Sequence, residues 1–114
     1  MKGYQVTFFT EQNRRHGFTP LGPWLLQFAK EHGALGGTLV GGAEGFDHLG
    51  HIHSVHLIDL ADQPIAVTFS IDEESARRLF EDLAAEPVDV TYVKVPVECG
   101  RIGAKADPSA ASAA

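Results

Sequence analysis

The chain is short of the residues that staple small secreted folds and of those that grip nucleic acid. Among 114 residues there is one cysteine, Cys99, so no disulfide forms within the chain. A reducing compartment fits that count. Nine Lys and Arg stand against fifteen Asp and Glu, a formal net charge of -6. Binding to DNA or RNA regardless of sequence needs clustered cations that displace counterions, so no nucleic-acid partner is expected. No apolar run nears the roughly 20 residues of a membrane helix. The opening MKGYQVTFFT alternates apolar with polar and lacks the apolar centre of a signal peptide. The expectation is a cytoplasmic protein that is not itself membrane-inserted.

What is present suits one globular domain. Hydrophobic residues make up 44% and charged residues 21%, enough at this length to bury a core. YQVTFF, residues 4–9, is rich in aromatic and β-branched residues and reads as a strand. Thr19 is placed to cap a helix with Pro20 at its first position. Leu21, Trp24, Leu25 and Phe28 then give the stripe of an amphipathic helix, and Gly33 ends it. GGTLVGGAEGF, residues 36–46, reads as a glycine-rich strand with a bulge or close backbone neighbour. IHSVHLIDL reads as a short extension and PIAVTFSI, residues 64–71, as a strand. In the latter, Ile65, Val67, Phe69 and Ile71 fall on one face. Asp72 caps a second helix whose apolar face holds Ala76, Leu79, Phe80, Leu83 and Ala84. VDVTYVKVPV, residues 88–97, is the last strand. Residues 1–103 form the expected domain, and residues 104–114, rich in Ala and Ser, an expected disordered tail.

The order strand, helix, strand, strand, helix, strand is the α+β, ferredoxin-like βαββαβ pattern: an antiparallel sheet with both helices on one face. The first and last strands are read as not adjacent in that sheet. The helix-free face carries Thr7, Thr68, Ser70 and Thr91, but also Phe9 and Val93. A half-apolar face calls for cover by another subunit.

KGYQVTFFTEQNRRHG, PLGPWLLQFAKEHGALGGTLVGGAEGF, IHSVHLIDLADQPIAV and YVKVPVECG resemble the PII-like signalling proteins of the family known as domain of unknown function 190. The resemblance covers nearly all of residues 2–103. It implies a ferredoxin-like fold, a homotrimer, and kinship with PII regulators and CutA proteins. Gly33, Gly36 and Thr38 look like the PII segment that leads into the second strand. Gly45 and Phe46 look like its Gly-Phe-Gly, with Asp47 in place of the last glycine. By that likeness residues 47–63 correspond to the mobile partner-binding loop, and the cleft at its base to an adenine-nucleotide site. LAAEPVDV departs from the Gly- and Lys-rich PII turn that holds phosphates. Positive charge must then come from Arg14, Arg15, Lys94, Arg101 or Lys105.

Several groups compete for a functional role. His48, His51, His53 and His56 fall within nine positions. His51 and His53, at i and i+2, share a face of an extended segment and suit a divalent metal such as zinc or copper; otherwise they are solvated loop residues. Arg14 and Arg15 make an anion clamp or a solvated turn. Glu44, Gly45 and Phe46 are either a strand end with a core phenylalanine, or a ligand contact in which the ring meets a base. Cys99 beside Glu98 lacks the positive surroundings of a reactive thiol, and no nucleophile with its base and orienter stands out. No enzyme is expected. The leading expectation is a PII-like regulator. It binds a small anionic effector, AMP, ADP or ATP, at subunit clefts through Arg14, Arg15, Thr38, Glu44, Gly45, Phe46 and Arg101. Its loop, residues 47–63, acts on a target protein such as a membrane transporter. The rival is a CutA-like divalent-metal-binding trimer using His51 and His53.

Overall fold

Strand β1, Lys2–Glu11, alternates from Gln5 onward: Val6, Phe8 and Thr10 are buried while Gln5 and Phe9 are exposed. Period-two alternation commits one face of a strand to a core. In the computed structural model, which describes residues 1–54 and 62–103, β1 occupies the middle of a four-stranded sheet. Short strands β2, Arg15–His16, and β3, Thr19–Pro20, pair as a two-residue ribbon before helix α1, Leu21–Glu31. Strand β4, Gly36–Gly41, is followed by a small hairpin of β5, Glu44–Phe46, and β6, Ile52–Ser54. Strand β7, Pro64–Asp72, helix α2, Glu73–Ala84, and strand β8, Thr91–Glu98, complete the elements of the described residues.

The main sheet runs β4-β7-β1-β8 with every neighbouring pair antiparallel. This is the ferredoxin-like arrangement. It overturns one expectation: β1 and β8, the first and last long strands, are direct neighbours, registered from Lys2 opposite Glu98 to Phe9 opposite Thr91.

The core lies between the sheet and the two helices. Val6, Phe8, Ile65, Val67, Phe69 and Ile71 meet Leu21, Leu25 and Ala29 of α1 and Ala76, Leu79 and Leu83 of α2. Ala84, expected on the apolar face of α2, is exposed at its last turn. Trp24, Phe28 and Phe80 pack on the rim of the core. The last strand begins at Thr91 rather than residue 88, although Val88 and Val90 still pack against the core.

Among the described residues no helix covers the opposite sheet face. Phe9, Val40, Val93 and Val95 are about half exposed there, among Thr7, Thr68 and Thr91. The Thr7 and Thr68 hydroxyls are 3.1 Å apart across the central pair.

The helix ends differ in how their free amides are met. The Asp72 carboxylate accepts from the Ser75 amide at 2.8 Å, as the sequence indicated. Thr19 does not cap α1. Pro20 holds that position without a side-chain bond, and the Leu21 amide donates instead to the Arg14 carbonyl at 2.8 Å. Thr19 is spent on pairing with His16 in the ribbon.

Gly3 of β1 lies close against the backbone of Ile71 and Asp72 in β7. A Cβ there would overlap the Ile71 carbonyl oxygen, a backbone atom that cannot swing away. Gly3→Ala is therefore expected to destabilise the chain by about 1–3 kcal/mol, the scale of overpacking a filled site. Urea unfolding measures it, and an unchanged midpoint would contradict the packing.

Candidate functional site

The β5–β6 hairpin folds over one end of the helix-free face and encloses a cavity of about 720 Å³. Phe9, Glu11, Val40, Ala66 and Thr91 line it from the sheet, and Glu44, Gly45, Phe46, Asp47, His51 and His53 from the hairpin. Two contacts set the root of the hairpin. The Gly42 amide donates to the Pro64 carbonyl at 2.8 Å, and Gly45 sits over Pro64 so closely that a Cβ would just reach it.

The turn of the hairpin is built by Asp47. Its Oδ1 accepts from the Leu49 amide at 3.0 Å and the His51 amide at 2.9 Å. Gly50, with φ of 81°, takes the left-handed conformation the turn requires. An aspartate where the PII resemblance has a glycine thus ties the turn by its side chain.

His53 fastens the hairpin to the sheet. Its Nδ1 lies 2.6 Å from Asp62 Oδ1, and its Nε2 lies 3.0 Å from Asp47 Oδ2 and 3.2 Å from Glu11 Oε1. The side chains of His53, Glu11 and Asp47 are 15%, 11% and 19% exposed. With a carboxylate at each ring nitrogen, both nitrogens donate and the ring is an imidazolium. Asp47 first and then Asp62 push its pKa up to about 9, against the opposing effect of burial. In return the His53 bond, helped by the two turn amides, holds the Asp47 carboxyl well below the usual carboxylate range.

The sequence-expected residues divide among several places. Arg14, Glu44, Gly45, Phe46, His51 and His53 gather at the cavity. Phe46 is 80% exposed, so its reading as a core residue is overturned and the ring is free to meet a ligand. Arg14 is already engaged, 3.9 Å from Glu11 and donating to the Asp89 carbonyl at 2.9 Å. Arg15 does not line the cavity; its guanidinium donates to the Phe18 carbonyl at 3.1 Å. Thr38 lies farther along β4, opposite Thr68. Arg101 follows the end of β8 that pairs with Lys2, whereas the cavity lies at the Thr91 end. Within one chain Arg15 and Arg101 are thus at opposite ends of the β1–β8 pair. Lys94 sits over the Tyr4 and Phe80 rings, on the helix side. His51 stays on the rim, 69% exposed, with Nδ1 3.4 Å from Asp47 Oδ2. His56 and Lys105 lie outside the described residues, as do residues 55–61 of the expected loop and the expected tail.

Sequence reasoning missed Glu11, Asp47 and Asp62 as partners of His53. It also missed His16, which stacks on Trp24 at 3.9 Å between ring centres and lies 3.0 Å from Glu86. Glu86, just after α2, thus ties the β2–β3 ribbon to the end of that helix, while the Trp24 stack holds it against α1.

The family known as domain of unknown function 190, described as an uncharacterized ACR, matches residues 3–98. The chain belongs to this family. Solved structures agree on the fold. A protein of Thermus thermophilus described as PII-like signaling is 22% identical, with a TM-score of 0.59 over 85% of this chain and 88% of that one. CPII of Thiomonas intermedia, described as a nitrogen regulatory PII-like protein bound to ADP, AMP and bicarbonate, is 19% identical. Its TM-score is 0.56 over 85% of this chain and 89% of its own. No curated protein matches the chain.

The His53 cluster has a pH signature. The imidazolium stabilises the fold fully below the ordinary histidine value of 6.5, and that contribution is lost as pH rises through about 9. In metal-free protein the His53 ring signals should titrate near 9 by NMR, and melting temperature should fall across that window more steeply than in His53→Gln. A midpoint at the ordinary value would contradict the cluster.

Proposed function

We propose that this chain is a non-enzymatic, PII-like regulator. It assembles as a homotrimer through the helix-free sheet face and binds an adenine nucleotide where the hairpin of one subunit meets its neighbour. Residues 47–63 then present the bound state to a target protein. The observation that carries this reading is the exposed Phe46 ring on a cavity walled by the half-exposed sheet residues Phe9 and Val40. An apolar-walled cleft with a free aromatic ring and a nearby carboxylate, Glu44, suits a purine with its ribose. The half-apolar sheet face supports the trimer. CPII, which shares the fold, is described with ADP and AMP bound.

Charge dictates how the nucleotide lies. Glu11, Glu44, Asp47 and Asp89 all line the cavity, and its guanidinium, Arg14, is engaged with Glu11 and Asp89. Phosphates do not rest bare against such a wall. The base therefore enters beside Phe46 and the phosphates point outward, toward Arg15 and toward Arg101 of an adjoining subunit. Effector binding changes the hairpin only insofar as it favours one loop state over the other. Among the described residues no helix is long and apolar enough to cross a membrane, so a transporter would be met as a separate target.

Light scattering at micromolar concentration should give three times the chain mass; a monomer removes the shared cleft. AMP and ADP should bind by calorimetry, and Phe46→Ala should weaken them about fivefold to hundredfold, the cost of losing a base–aromatic stack. Absence of nucleotide binding at millimolar concentration, or equal binding by the variant, defeats the reading.

A further inference from the structure

We propose that Glu11, Asp47 and His53 form a binding site for a divalent transition-metal ion, one ion per chain, with His51 as an additional donor at its open side. The argument begins with spacing. Bonds of about 2.0–2.2 Å to nitrogen and oxygen put neighbouring donor atoms roughly 3–3.5 Å apart. His53 Nε2 stands 3.0 Å from Asp47 Oδ2 and 3.2 Å from Glu11 Oε1, and the three donor atoms lie within 4.8 Å of one another. His51 Nδ1 is 3.4 Å from the same Asp47 oxygen. One imidazole with two carboxylates is a borderline-to-hard donor set, suited to zinc or manganese more than to copper(I).

Two further observations point the same way. The second ring nitrogen of His53 is held by Asp62 at 2.6 Å, an outer carboxylate of the kind that orients metal-binding histidines, and the ion takes the place of the Nε2 proton, which is released to solvent. The local charge is unbalanced: Glu11, Asp47 and Asp62 surround one imidazole, with Arg14 3.9 Å from the far oxygen of Glu11. Partly buried carboxylates in excess of their cations call for a further positive charge. The cavity supplies a path for the ion to enter. The expected His51–His53 pair is thereby replaced: His53 turns inward to acids from β1 and the hairpin turn, and His51 is peripheral.

The site stands within one chain and does not rely on nucleotide binding, so it is tested without nucleotide. The full chain is stripped with chelator and titrated with Zn²⁺ and with Mn²⁺ by calorimetry. One ion per chain is expected. Glu11→Gln, which keeps the shape of the side chain, should weaken binding by about tenfold or more, while His48→Ala should leave it unchanged. Mn²⁺ should broaden the amide signals of Glu11, Asp47 and His53 in the unmodified protein, a readout that needs no variant to fold. Equal affinity in Glu11→Gln, broadening centred on His48 instead, or no binding at millimolar metal would overturn the proposal.

Discussion

One imidazole shared among three carboxylates holds the β5–β6 hairpin over the sheet. His53 reaches Asp62 with one nitrogen, and Asp47 and Glu11 with the other. Glu11 ends β1, Asp47 makes the hairpin turn, and Asp62 stands two residues before β7. Three separate parts of the chain are thus tied at one ring. The hairpin's exposed Phe46, Leu49 and Ile52 offer little apolar packing to do the same work. The root of the hairpin is set by the Gly42–Pro64 bond and the contact of Gly45 on Pro64.

The cavity exists because of that tie. Its floor is the apolar end of the helix-free sheet face, and its roof is the hairpin. The rest of the domain supplies rigidity. Two helices fill the other face with Leu21, Leu25, Leu79 and Leu83, and the His16–Trp24 stack with Glu86 pins the β2–β3 ribbon against α1. A stiff sheet thus lies beneath a hairpin held by polar ties rather than by apolar packing. The carboxylates that bind the hairpin make the wall of the cleft acidic.

The sheet and helices were legible because their signals are local. Period-two burial in residues 64–71, the stripe of Leu21 and Leu25, and the Asp72 cap all lie within one element. The sequence order also implies the β4-β7-β1-β8 sheet, although the adjacency of β1 and β8 was misread. The site was half legible. Glycine spacing and family likeness singled out Glu44, Gly45 and Phe46, which the fold brings together at the cavity. The histidine run drew attention to His53 but gave it the wrong partners. Its acids come from positions 11, 47 and 62, and no spacing rule links residues that meet only through the fold. Arg14 and Arg15 show the same limit. Adjacent in sequence, they part company because the ribbon turns one to the cavity and the other to Phe18.

The central claim is that His53 keeps the hairpin in place, and hydrogen exchange at the turn tests it most directly. The Leu49 and His51 amides are bonded to Asp47, whose other oxygen is held by His53. In His53→Ala these two amides should lose their protection while those of β1 and β7 keep theirs. Undiminished protection at Leu49 and His51 would contradict the account, because the hairpin would then be held by something other than the shared imidazole.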